Sequence, residues 1–226
     1  MQIDVDYRPS YALAKAKLEP GEEVKVEAGA MVATTVGVEI ETRAEGGLLA
    51  SLGRKVLGGE SFFINTYRAP AEGGQVYLAP ALPGDIKVLD LDGDELLVQS
   101  GGFLAASPSI DIDTKWGGAK TFFASEGLIL LRLRGIGKLV ISSYGAIDEF
   151  TLGPDEKLTV DTGHLVSFSS GIGFKVRKVG GLKSTLFSGE GLVVDLTGPG
   201  KATLQSRSED AFLSWLIPKL PTRDDH

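Results

Sequence analysis

No cysteine occurs in the 226 residues, which removes disulfides, thiolate metal sites and a cysteine nucleophile together. Histidine is almost as scarce: there are two, His164 and the final residue, so a histidine-based triad or zinc site has little to draw on. Long apolar runs are missing too. The longest, residues 128–131, is cut off by Arg132 and Arg134, far short of the ~20 residues of a membrane-spanning helix. The acidic start, residues 1–6, has neither the basic nor the apolar region of a secretory signal, so a cytoplasmic protein without a membrane span is expected. Positive charge is in deficit, 23 Lys and Arg against 30 Asp and Glu, which argues against a DNA partner and disfavours RNA.

What is present in excess is glycine. Thirty residues are glycine, roughly twice the ~7% of an average protein, and no G-X-Y period accompanies them. Such a composition suits an all-β chain with many tight turns. The glycines recur in a pattern: Val24/Val26/Gly29, Leu96/Val98/Gly101 and Leu158/Val160/Gly163 superpose without a gap, each behind an acidic turn. Apolar residues two apart face one side of a strand, and a glycine three positions later suits a positive-φ turn or bulge. A Gly-Gly segment and an apolar strand follow in each copy, and then a third element begins at Gly74, Gly137 or Gly200. Three elements in one order, three times over, imply a threefold internal duplication. The repeats span approximately 11–91, 92–152 and 153–207, with no linker between them, so residues 1–226 are expected to form one compact domain.

Strand-sized segments recur at roughly 8- to 12-residue intervals. Asp92-Gly93 predicts a hairpin between residues 86–91 and 96–98. In residues 128–134, Ile129, Leu131 and Leu133 share one face and both arginines the other. Val24, Val26, Leu96, Val98, Leu158 and Val160 are the expected core. Two helices are expected. Residues 48–57 place Leu48, Leu52 and Val56 on one stripe, and residues 208–217 open on a serine cap and two acids and stop at Pro218.

Residues 186–193, 197–200 and 204–207 (LFSGEGLV, TGPG and LQSR), with the segment 58–65 and the ending WLIPKLP, resemble the altered-inheritance-of-mitochondria protein 24 family. The resemblance covers essentially the whole chain. It implies three β-rich repeats around a pseudo-threefold axis, in a fold similar to the tryptophan RNA-binding attenuator protein, as a β-sandwich or double-stranded β-helix with one or two short helices. The family's mitochondrial role is not carried over, because residues 1–6 do not read as a transit peptide and none is expected. RNA and tryptophan binding belong to a structural relative and rest on fold alone.

Chemistry is sparse. Asp90-Leu-Asp-Gly-Asp94 begins like a calcium loop, but Glu95 stands where the loop needs glycine and Gly101 where it needs glutamate. The glycine clusters match no phosphate loop. His164 follows the repeat glycine where the other copies have Ala30 and Gly102, which makes it a one-copy candidate for a ligand or proton-transfer role beside a packing role. Glu60, Glu126 and Glu190 recur with the repeats, and around an axis they would form a ring able to face a cation. Arg132, Arg134, Arg177 and Lys178 read as a solvated basic face.

No catalytic residue, cofactor or metal ligand is therefore assigned. The expected function is a non-enzymatic scaffold that self-associates or meets a protein partner, with Leu48, Leu52, Val56 and Trp215 as interface candidates. A small-ligand or metal-binding β protein is the alternative, and an RNA binder by fold analogy comes third.

Overall fold

One lysine separates Val24 from Val26, and only an extended chain puts both valines into a core while leaving the lysine at its edge. The same alternation runs through most of the chain. The computed structural model describes residues 1–43, 63–113, 130–179 and 192–221, and strands dominate them. The first stretch holds β1 (Gln2–Asp6), β2 (Leu13–Leu18), β3 (Glu23–Glu27), β4 (Met31–Thr34), β5 (Glu39–Arg43), β6 (Ile64–Arg68) and β7 (Gly74–Leu78). Next come β8 (Ile86–Gln99), β9 (Phe103–Ala106), β10 (Asp111–Asp113) and β11 (Leu130–Ser142). Then follow β12 (Ile147–Leu152), β13 (Lys157–Asp161), β14 (Leu165–Ser169), β15 (Gly173–Lys178), β16 (Leu192–Thr197) and β17 (Gly200–Gln205). A single described α-helix, α1 (Glu209–Leu216), ends the series.

Among the described residues every pairing between these strands is antiparallel, and one isolated parallel bridge joins Gly84 to Gly145. In the first stretch β2 pairs with β7, β7 with β4, β3 with β6 and β6 with β5, while β1 adds to the outside of β2. In the last stretch β12 pairs with β17, β17 with β14, β13 with β16 and β16 with β15. In the middle stretch two long strands each serve twice. The start of β8 lies on the end of β11 and the end of β8 on the start of β11, while β9 and β10 pair with the two halves of β11. The stretches join edge to edge: β9 pairs with β3, and β14 pairs with β8. One ten-stranded sheet therefore crosses all three stretches, beside a four-stranded and a three-stranded sheet.

Apolar packing follows the joins. One core cluster of the first stretch takes in Ile86, Leu104, Ala105 and Val140 from the second. The second cluster borrows Ile64 and Val166 from either side, and the third borrows Leu97 and Leu130. Val24, Val26, Val98 and Val160 are buried as expected, while Leu96 and Leu158 are half-buried against the clusters. Leu131 and Leu133 point inward with Arg132 and Arg134 on the other face. Ser208 caps α1 by accepting a hydrogen bond from the Ala211 N–H at 3.4 Å, and Pro218 lies in the 3-10 turn that follows the helix.

Two expectations need correction. Asp92-Gly93 makes no hairpin: it lies inside β8, and the residues on both sides pair with β11 rather than with each other. Gly93, at φ 89°, instead allows a bulge where the register shifts opposite Gly135, and a long ladder outcompetes the local turn. Nor does one backbone geometry explain the three repeat glycines. Gly29 has φ 93°, whereas Gly101 and Gly163 sit in 3-10 turns, Ser100–Gly102 and Thr162–His164, without a positive φ. The expected helix over 48–57 lies outside the described residues.

Candidate functional site

Where the three stretches begin, their chains meet. The Ala12 N–H donates to the Gly84 carbonyl at 3.0 Å, the Asp85 N–H to the Gly145 carbonyl at 3.0 Å, and the Gly145 N–H to the Pro83 carbonyl at 2.9 Å. Beside this meeting point β1, β8 and β12 enclose an open cleft of about 620 Å³. Val5, Ile86, Val88 and Ile147 supply its apolar lining, and Arg8, Lys87, Asp148 and Glu149 its charge.

The cleft is anchored by Asp85, which is the one charged residue in the buried set among the described residues. Arg8 grips it bidentately, with Nε donating to Oδ1 at 2.7 Å and Nη2 to Oδ2 at 2.9 Å. Oδ1 also accepts the Ile86 N–H at 2.8 Å. The hydrogen bond to Asp85 pushes the Arg8 guanidinium above its ordinary range, against the opposing pull of partial burial. Lys87 forms an ion pair with Glu149 across the same cleft. A buried acid in a cleft is what general acid–base chemistry asks for, but this one is committed to an arginine and a backbone amide. Asp85→Asn is expected to destabilise the fold by about 1–3 kcal/mol, less than a fully buried pair would lose because the Arg8 side chain is half exposed. A urea midpoint that does not move would show that the pair contributes nothing.

A second concavity, of about 330 Å³, lies along the edge of β13 that no other described strand pairs with. Phe150, Leu158, Val160 and Leu204 make it mainly apolar, with Asp148, Asp161 and His164 at its polar margin. His164 Nδ1 lies 2.7 Å from the Gln205 carbonyl oxygen; a carbonyl only accepts, so Nδ1 carries the proton. Gln205 Nε2 donates to the Gly163 carbonyl at 2.9 Å, and the Gly163 N–H donates to Asp161 Oδ1 at 2.8 Å. These bonds tie the His164 turn to the end of β17. On the outer face of the same sheet, Arg177 grips Asp195 at 2.6 and 3.1 Å while the Thr159 hydroxyl donates to it at 2.7 Å. Arg177 first and Thr159 second hold the Asp195 carboxyl below the ordinary carboxylate range.

The other expected site residues separate into two groups. Glu60, Glu126, Glu190, Leu48, Leu52 and Val56 lie outside the described residues. Trp215 is 59% exposed on α1, stacked on Phe212 at 6.3 Å with Lys219 Nζ 5.2 Å from its ring centre. Phe212 meets Tyr144 edge-on, and this contact holds the helix against the turn between β11 and β12. Leu213, Ile217 and Leu220 are exposed beside Trp215. Among the described residues no group of three His, Asp or Glu is placed to hold a metal ion. The four basic residues Arg132, Arg134, Arg177 and Lys178 lie on two sheets: Arg132 of β11 pairs with Asp113 of β10, and Arg177 pairs with Asp195 on another sheet. Sequence reading missed the Arg8–Asp85 pair because its members stand 77 residues apart and Asp85 looks like any other turn acid.

The model of the family described as mitochondrial biogenesis AIM24 matches residues 3–207. A curated uncharacterized protein of Streptococcus pyogenes serotype M6 is 29% identical over 230 residues, which cover 98% of this chain and 92% of that protein. An X-ray crystal structure of a Streptococcus pyogenes protein is similar throughout, with a TM-score of 0.80 and 28% identity; the match covers 97% of this chain and 99% of that one. No described helix is long and apolar enough to cross a membrane.

Proposed function

The chain belongs to the AIM24 family, and on that footing we propose that it is a non-enzymatic, self-associating scaffold built from three copies of one six-stranded unit around a pseudo-threefold axis. The observation that carries this reading is the pairing scheme. Numbered within each unit, the first strand pairs with the sixth, the sixth with the third, the second with the fifth and the fifth with the fourth. Even the irregularities coincide. The third strand carries a register shift after its first residue each time, around Val32, Leu104 and Val166. Leu18, Leu91 and Leu152 face Gly74, Gly137 and Gly200 in turn. The pairing favours unit starts near residues 12, 85 and 146 over cuts at 92 and 153, because residues 86–91 pair with 137–142.

A scaffold reading also fits what the side chains do. The buried acid, the cleft cations and His164 are all engaged in holding elements together rather than converging on a reacting atom. Apolar side chains remain outside: Met31, Val32, Trp215 and Ile217 are each more than a third exposed. Light scattering at micromolar concentration is expected to give a multiple of 23.9 kDa, and a 23.9 kDa particle would refute self-association. Screening for hydrolase and phosphatase activity, with and without divalent metals, tests the non-enzymatic part. Turnover that disappears in Glu190→Gln with the fold intact would overturn it.

A small-ligand reading is the alternative, and the roughly 620 Å³ cleft beside Arg8 is what favours it. Native mass spectrometry of freshly purified protein distinguishes the two, since a bound small molecule and an extra subunit add very different masses.

A further inference from the structure

The two joins between units obey one rule. The third strand of a unit adds to the free edge of the second strand in the unit before it: β9 on β3, with Ala105 opposite Val26, and β14 on β8, with Ser167 opposite Val98. Three units have three third strands and three second strands, so two joins leave one of each over. The unjoined third strand is β4, at the end of the four-stranded sheet, and the unjoined second strand is β13, at the end of the three-stranded sheet.

Burial records the difference. At the first two positions of the joined third strands, Phe103 and Leu104 are 0% exposed and Leu165 and Val166 are 2% and 1%. Met31 and Val32, at the same positions in β4, are 39% and 58% exposed. At the other end, the apolar groove along β13 is lined by residues of β12, β13 and β17 together with His164 and Ser206, and by none of β4. Apolar side chains on a strand edge without a ladder among the described residues are an invitation to pairing, and here a matching acceptor sits on the same chain.

We infer that β4 of one copy of this chain adds as an antiparallel strand to β13 of a second copy, seating Met31 and Val32 against the groove. The inference rests on the self-associating reading and assigns its interface. Transferring the internal register places Ala33 opposite Val160 and Thr34 opposite Thr159. The chain's own β4 is not the occupant, because Val32 stands open to solvent and no β4 residue lines the groove. Donor and acceptor are different surfaces, so the contact is head-to-tail and produces rings or filaments according to whether the rotation closes.

The absence of native cysteine gives a clean test. Thr34→Cys and Thr159→Cys, prepared separately, mixed and oxidised, are expected to yield a disulfide-linked pair of chains, because directly opposite residues have Cβ atoms about 5 Å apart. Either variant oxidised alone stays largely unlinked. The doubly substituted chain is expected to give a ladder of linked chains on a non-reducing gel. If it forms only an internally linked single chain, β4 closes on its own β13 and the inference falls. If the protein is oligomeric but the mixed variants do not link, the edge assignment falls while self-association stands. If the wild-type protein is monomeric, both fall. Val32→Glu is a second measurement that needs no disulfide. It is expected to drop the native mass to 23.9 kDa with the circular dichroism spectrum unchanged, and an oligomer that persists would overturn the proposal.

Discussion

Gly84→Ala is expected to destabilise the protein by roughly 3 kcal/mol, the upper part of the range for forcing atoms into a packed interior. A Cβ on Gly84 would lie 1.7 Å from the Ser143 carbonyl oxygen and 2.7 Å from its carbon, and both are backbone atoms that cannot rotate away. Relief requires the backbone to part, and this is the place where it is least free to do so. Gly84 bridges Gly145 in parallel, its own carbonyl accepts the Ala12 N–H, and the next residue's N–H bonds to Gly145. One methyl group therefore loosens the chain around Ala12, Gly84 and Gly145 together. Urea denaturation measures the loss. A change below about 1 kcal/mol, the ordinary cost of a random substitution, would mean that this junction tolerates separation.

The second large effect belongs to Phe168. Its ring is fully buried, and it meets Phe174 edge-on at 5.2 Å. Its backbone lies between Leu97 of β8 and Ala202 of β17, where the middle and last stretches share a sheet. Phe168→Ala is expected to cost about 3–5 kcal/mol, the range for emptying a large aromatic site that cannot collapse. Because the site straddles a join, hydrogen exchange should accelerate in both β8 and β17, not only in β14. Thr34 occupies the same ladder position in β4, opposite Val76, but on the unjoined edge. Thr34→Ala should therefore cost the single chain no more than about 0.5 kcal/mol, since no other described strand of that chain covers this edge of β4. Equal losses at the two sites would show that the join adds nothing at Phe168.

Much of the architecture is local enough to read from the chain. A period of two between apolar residues is satisfied by a strand, and Val24/Val26, Leu96/Val98 and Leu158/Val160 lie in β3, the end of β8 and β13. Gly74 and Gly200 open β7 and β17, whereas Gly137 lies inside the long strand β11. Ser208, Glu209, Asp210 and Pro218 bracketed α1, because caps and breakers act within one helical turn. Asp92-Gly93 is where local reading failed. The dipeptide has the chemistry of a hairpin, but a strand that can pair along its whole length with β11 gains more from straightening than from turning back, and only the partner's presence decides that.

The sequence by itself determined the strand-rich class, the absence of thiol chemistry and the end helix, since each depends on residue identity or on spacing within a few positions. The tertiary structure alone decided which edges are joined among the described strands, that Asp85 is buried against Arg8, and that His164 holds β17. Those are contacts between residues tens of positions apart. Composition and periodicity state which face of a strand is apolar; they do not state which strand will cover it, because that depends on the summed packing of every other element.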